Sequence, residues 1–120
     1  GEGTTLNNIG SIYYAQGNYA KAIEYREQTL AILREQGDRG LEAQCCWNLG
    51  LTYEDMGDLA EAEEHIMQAV QIAEQMNHPS LEKYRDGLAR MRAILNSRWR
   101  FWLYKVGTNI LKWLRAKRQA

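Results

Sequence analysis

Shifted by 40 residues, the chain falls on itself: LNNIGSIYYAQGNYAKA (6–22) aligns with CWNLGLTYEDMGDLAEA (46–62). Asn8, Gly10, Tyr13, Gly17, Ala20 and Ala22 meet identical residues at Asn48, Gly50, Tyr53, Gly57, Ala60 and Ala62. Ile9/Leu49, Asn18/Asp58 and Tyr19/Leu59 are close replacements. A period of this length marks a supersecondary unit that stacks on its own copies, because one unit cannot bury its apolar face alone. No other feature of the 120 residues restricts the fold as strongly.

Each unit has a local logic. The spacing predicts first helices over roughly 4–16 and 42–56, and second helices over 19–36 and 59–76. Gly17 and Gly57 end the first helices, since a left-handed terminal residue costs glycine little. Asn18 and Asp58 follow as N-cap candidates, and Asp58 with Glu61 forms a capping box. The second helices carry Ile23, Leu30 and Leu33, then Ile66, Val70 and Ile72, at helical spacing. Gly10 and Ala22, like Gly50 and Ala62, are small where two antiparallel helices would press together. GDRG (37–40) and NHP (77–79) supply the turns.

These residues resemble the tetratricopeptide repeat. Its pattern of an aromatic or Leu, then Leu-Gly, Tyr, a Gly-Asp/Asn turn and Ala is met by Leu6, Ile9-Gly10, Tyr13, Gly17-Asn18 and Ala22. The second unit meets it with Trp47 (displaced by one), Leu49-Gly50, Tyr53, Gly57-Asp58, Ala62 and Ala69. Arg26 stands for a usual aromatic, Thr29 for an Ala, and the Pro that closes each repeat is missing. The period exceeds the usual one, as in the longer-helix members that include the kinesin light chain and the spindle-orientation adaptors. The resemblance implies an all-α fold: an antiparallel helix-pair repeat array, or α-solenoid. Residues 1–78 hold the two repeats, and 79–97 a capping helix in which Leu81, Tyr84, Leu88, Met91, Ile94 and Leu95 recur at helical spacing. Residues 98–120 form a basic amphipathic C-terminal helix.

Composition agrees and narrows the function classes. A single Pro and 45% apolar residues suit an ordered helical chain. The zero net charge hides a split: residues 1–97 carry 15 acidic and 8 basic side chains, residues 98–120 carry 7 basic and none acidic. Cys45 and Cys46 are adjacent, so on a helix they diverge by about 100° and form no metal-binding spacing. Two reduced thiols, partly core, are expected, and with them a reducing compartment, the cytoplasm, with or without attachment to a membrane. No signal peptide or bilayer-spanning run is present. The chain opens on Gly1 rather than Met, as a piece of a longer array would. GEG at 1–3 lacks the context of a phosphate loop. His65 near Glu61 and Glu64 reads as a lone His on a solvated acidic face, and His78 beside Pro79 as turn chemistry. No catalytic constellation, metal site or cofactor site emerges, so the chain is read as a non-enzyme.

The resemblance implies a protein-interaction module, a scaffold or adaptor whose first helices line a concave groove for a peptide or helix. By spacing, Asn7, Asn8, Ser11 and Tyr14 (with Ala15) face it from the first unit, and Trp47, Asn48, Leu51, Glu54 and Asp55 from the second. Asn8 and Asn48 lead, because the family uses Asn there to clamp ligand backbone, and a side-chain amide offers both donor and acceptor. Glu54 and Asp55 favour a cationic or amphipathic ligand. In the tail, Trp99, Trp102, Leu103, Val106, Ile110, Trp113 and Leu114 share an arc of about 120° on a helical wheel. The favoured reading packs this stripe on the array or on a second chain, giving a homo-oligomer. The alternative is a membrane-surface tether, and nucleic acid is the least supported partner.

Overall fold

The computed structural model describes residues 2–119 and, among them, contains helices and no strand. The elements are α1 (Glu2–Ala15), α2 (Tyr19–Gln36), α3 (Arg39–Met56), α4 (Leu59–Met76) and α5 (Leu81–Gln119). Consecutive helices pack on one another, α1 on α2, α2 on α3, α3 on α4 and α4 on α5, which is the plan of an α-solenoid.

The boundaries follow from the punctuation of the sequence. Gly17 at φ +76° and Gly57 at φ +94° hold the left-handed conformation that lets each helix stop. Behind them the Asn18 and Asp58 amides donate to the carbonyls of Tyr13 and Tyr53, at 2.9 Å each. The side chains of the same two residues then accept from the Lys21 and Glu61 amides and start the next helix. Asp38 caps α3 in the same way, through the Leu41 amide.

The core lies between α2, α3, α4 and the first half of α5, with Leu30, Leu49, Ile66, Tyr84 and Met91 almost wholly buried. Ala22 and Ala62 are fully buried, and they let the paired helices approach. One contact sets the position of α5. The Trp47 ring stacks on Tyr84 with centroids 4.9 Å apart, and it lies where a side chain on residue 87 would begin. A Cβ there would stand 2.4 Å from the ring, so only glycine fits.

The capping segment and the tail are one uninterrupted helix. Between Ile94 and Arg98 there is neither Pro nor Gly, and the helix runs through Asn96 and Ser97 without a break. Over Leu81–Leu95 one face of α5 meets the array, with Tyr84, Gly87, Leu88 and Met91 buried. Beyond Leu95 the array has ended and the helix continues without it, which draws the molecule out to 71 × 32 × 22 Å. Of the two expected packings of the tail, on the array or on a second chain, the first is not seen: the helix runs straight on through Gly107 and does not return to the array.

Two glycines of this one helix should respond in opposite directions. Gly87→Ala forces a methyl into the Trp47 ring and should destabilise the fold by about 1–3 kcal/mol, as overpacking does. Gly107→Ala meets nothing within 4 Å and should stabilise the helix by about 0.5–1 kcal/mol, the usual gain over glycine. Thermal unfolding followed by circular dichroism measures both.

Candidate ligand groove

Between α1 and α3, with α2 as its floor, lies a cavity of about 450 Å³. Gly3, Thr4 and Asn7 form the α1 wall, Thr29, Leu33 and Gln36 the floor, and Leu41, Gln44, Cys45 and Asn48 the α3 wall. Among the described residues no charged side chain lines it; its polar groups are amides, hydroxyls and the Cys45 thiol.

The repeat explains why this space is open. In the second unit the corresponding space, between α3 and α5, is plugged by Trp47, Tyr84 and Leu88, all buried. Forty residues earlier the same positions are Asn7, Gln44 and Asn48. Where the second inter-helix space is filled with rings and a Leu, the first holds three amides and a void.

That arrangement sorts the residues singled out from sequence. Asn7 and Asn48 come together in the cavity. Asn8 does not join them: it is exposed and outside the lining. On α3 the flank bearing Asn48 faces α1, whereas the equivalent flank of α1, bearing Asn8, is turned away from α3. Trp47 is not a groove residue at all, at 7% exposure in its stack with Tyr84. Ser11 is exposed and its hydroxyl donates to the Asn7 carbonyl at 3.0 Å. Leu51 is half-buried against the core. Gln44, Thr4 and Gln36 were missed; superimposing the two repeats on the sequence and asking where Trp47 and Tyr84 lose their counterparts would have found Gln44.

The acidic pair is engaged within the chain. The Glu54 carboxylate lies 2.8 Å from Arg90 of α5, which ties the third helix to the fifth. Asp55 accepts a hydrogen bond from the Tyr14 hydroxyl of α1. That bond, with burial second, pushes the Tyr14 phenol up to about 12. Both carboxylates thus tie helices together; the charge of Glu54 is matched by Arg90, while Asp55, exposed and bonded to a neutral hydroxyl, keeps its charge.

Arg26, in the place of the family's aromatic, is buried at 6% beneath α1. Its guanidinium donates to the Asn7 side-chain oxygen at 3.5 Å and lies 5.8 Å from the Tyr14 ring centre. Burial draws its pKa down. Through that bond the floor of the array orients an amide of the cavity wall.

His65 differs from its reading as a solvated residue. It is buried at 8%, its Nδ1 lies 2.8 Å from the Glu61 carbonyl, and its ring stacks on Tyr53 at 5.0 Å. The ring fills space between α3 and α4, which a period-based reading of α4 alone could not reveal. His78 accepts from the Ser80 amide at 3.0 Å across the Pro79 turn. Cys45 and Cys46 are free and buried.

An array of stacked antiparallel helix pairs with an open inter-helix groove defines a helical-repeat scaffold. The model of the tetratricopeptide repeat family matches residues 1–75, and the chain belongs to that family. Among solved structures it is similar to a protein assigned as a kinesin light chain from Podosopora anserina, with nearly identical tetratricopeptide-like repeats. The TM-score is 0.65 at 23% identity, over 78% of this chain and 47% of that one. The chain therefore spans about half the length of that structure, and the likeness is one of fold. A search of curated proteins gives no significant match. Repeats of this family generally mediate protein–protein interaction and are generally non-catalytic scaffolds.

The buried thiols make a chemical prediction. Burial, the largest influence on each, pushes Cys45 up to about 12 and Cys46 up to about 11 from an ordinary 9.0. Because the thiolate is the nucleophile, neither should react with iodoacetamide at neutral pH until the chain unfolds. The sign for stability follows by linkage: these acids release their protons at lower pH when unfolded. Stability should hold below pH 9.0 and fall as pH rises toward about 12. Mass-spectrometric labelling and pH-dependent melting check the two parts.

Proposed function

We propose that the α1–α3 groove binds an extended peptide segment of a protein partner, and that the chain acts as a scaffold or adaptor. The observation that carries this reading is the substitution of Asn7, Gln44 and Asn48, around an open cavity, for the Trp47, Tyr84 and Leu88 that close the equivalent space. A polar void between packed helices is costly unless something fills it, and water or a peptide backbone can satisfy amide groups where a methyl cannot. The cavity, about 450 Å³, falls within the range of about 300–1,000 Å³ usual for ligand clefts. With no charge in its lining, the groove suits main-chain amides and small neutral side chains, so its ligand is recognised by backbone more than by charge.

Random peptides displayed on phage and selected on the chain test this reading. Asn7→Ala with Asn48→Ala should weaken the selected peptides about tenfold or more, since each truncation strands partners of a buried hydrogen bond. Asn8→Ala, outside the cavity, should leave affinity unchanged. Peptides that ignore the double variant, or that depend on Asn8, would place the binding surface elsewhere.

A further inference from the structure

Beyond Asn96, α5 displays nine large apolar side chains between Trp99 and Leu114, each 45–73% exposed. Apolar surface so concentrated on one helix calls for a cover. A second tail is a poor one: residues 98–119 carry seven cations and no anion, so two tails side by side repel. The array of a second copy offers the right charge but no apolar stripe to match this one, and its groove is lined mainly by amides and hydroxyls. Its exposed large apolar residues are Ile12 and Met56 at one end, and Leu41 and Met76 at the other, with no stripe between.

We infer that residues 98–119 dock on the surface of an anionic phospholipid bilayer. Among the described residues no helix is long and apolar enough to cross a membrane, so this one lies along the surface. Trp99 and Trp102 stack at 5.0 Å and head the apolar stripe, whose indoles suit the boundary between acyl chains and headgroups. Arg98, Arg100, Lys105 and Arg115 flank the stripe or lie opposite it, where their stems can follow the helix while their charges reach lipid phosphates. Lys105 stands 5.0 Å from the Phe101 ring centre and Lys117 4.7 Å from that of Trp113, so cations and rings already form mixed patches. Phe101, Tyr104 and Leu111 widen the apolar surface beyond one face, more than a seam against a single helix needs and no obstacle to immersion among headgroups. The array, joined to this helix without a break, would be held beside the membrane.

The test uses the full chain with phosphatidylcholine vesicles, with and without phosphatidylserine, read by co-sedimentation and Trp emission. The chain should bind the mixed vesicles with emission shifted to shorter wavelength, and bind neutral ones at least about tenfold more weakly. Trp102→Glu with Trp113→Glu, and separately Arg98→Gln with Arg100→Gln, should each lower binding about tenfold or more. Neither pair touches the array, so helix content and thermal unfolding of the body should be retained. The inference is overturned if the chain ignores phosphatidylserine, or if the Trp pair splits a dimer seen by light scattering while leaving sedimentation unchanged.

Discussion

Trp47 lying against the bare backbone of Gly87 is the contact on which the rest of the molecule turns. It fixes how closely α5 approaches α3, closes the second inter-helix space and aligns the capping face of α5 with Tyr84, Leu88 and Met91. Burying an indole and a phenol together contributes several kcal/mol of transfer free energy on the usual scale of about 25 cal/mol per Å². Within residues 2–119 that is a large share of a small core. The open groove is the complement of that contact: the space that one repeat fills with rings, the other leaves to amides.

The same geometry divides α5. Its first half is a capping helix, held by packing and by the tie from Arg90 to Glu54. Its second half inherits its direction from the first and has nothing beneath it. An acidic array and a basic, aromatic extension are thus parts of one rigid connection rather than two domains on a linker. A surface that engaged the extension would carry the groove with it.

How far the sequence disclosed this depends on how local each feature is. The helix ends were legible because Gly17, Asn18, Gly57 and Asp58 act within their own turn. The pairing of helices was legible because Gly10, Ala22, Gly50 and Ala62 recur in register. Asn7 and Asn8 were both expected to face a groove, and only Asn7 lines the cavity, because neighbouring helix positions diverge by about 100° and the repeat pattern alone does not say which flank meets α3. Trp47 was assigned to the ligand for a related reason: its partner, Gly87, lies 40 residues away in a helix where the repeat signature has lapsed. His65 was read as solvated because the period of α4 does not tell that Tyr53 covers it. The tail's amphipathic stripe was visible, but its separation from the array follows only from the absence of a break near Ser97.

Amide hydrogen exchange along α5, compared between the natural chain and Trp47→Ala, probes the central contact most directly. In the natural chain without lipid, amides from Tyr84 to Leu95 should exchange slowly and those beyond Arg98 quickly, because packing protects only the first half. In Trp47→Ala the first half should lose its protection and match the second, while α2 keeps more of its own. If Tyr84–Leu95 stays protected without the Trp47 ring, the docking of α5 rests on something else and the account is wrong.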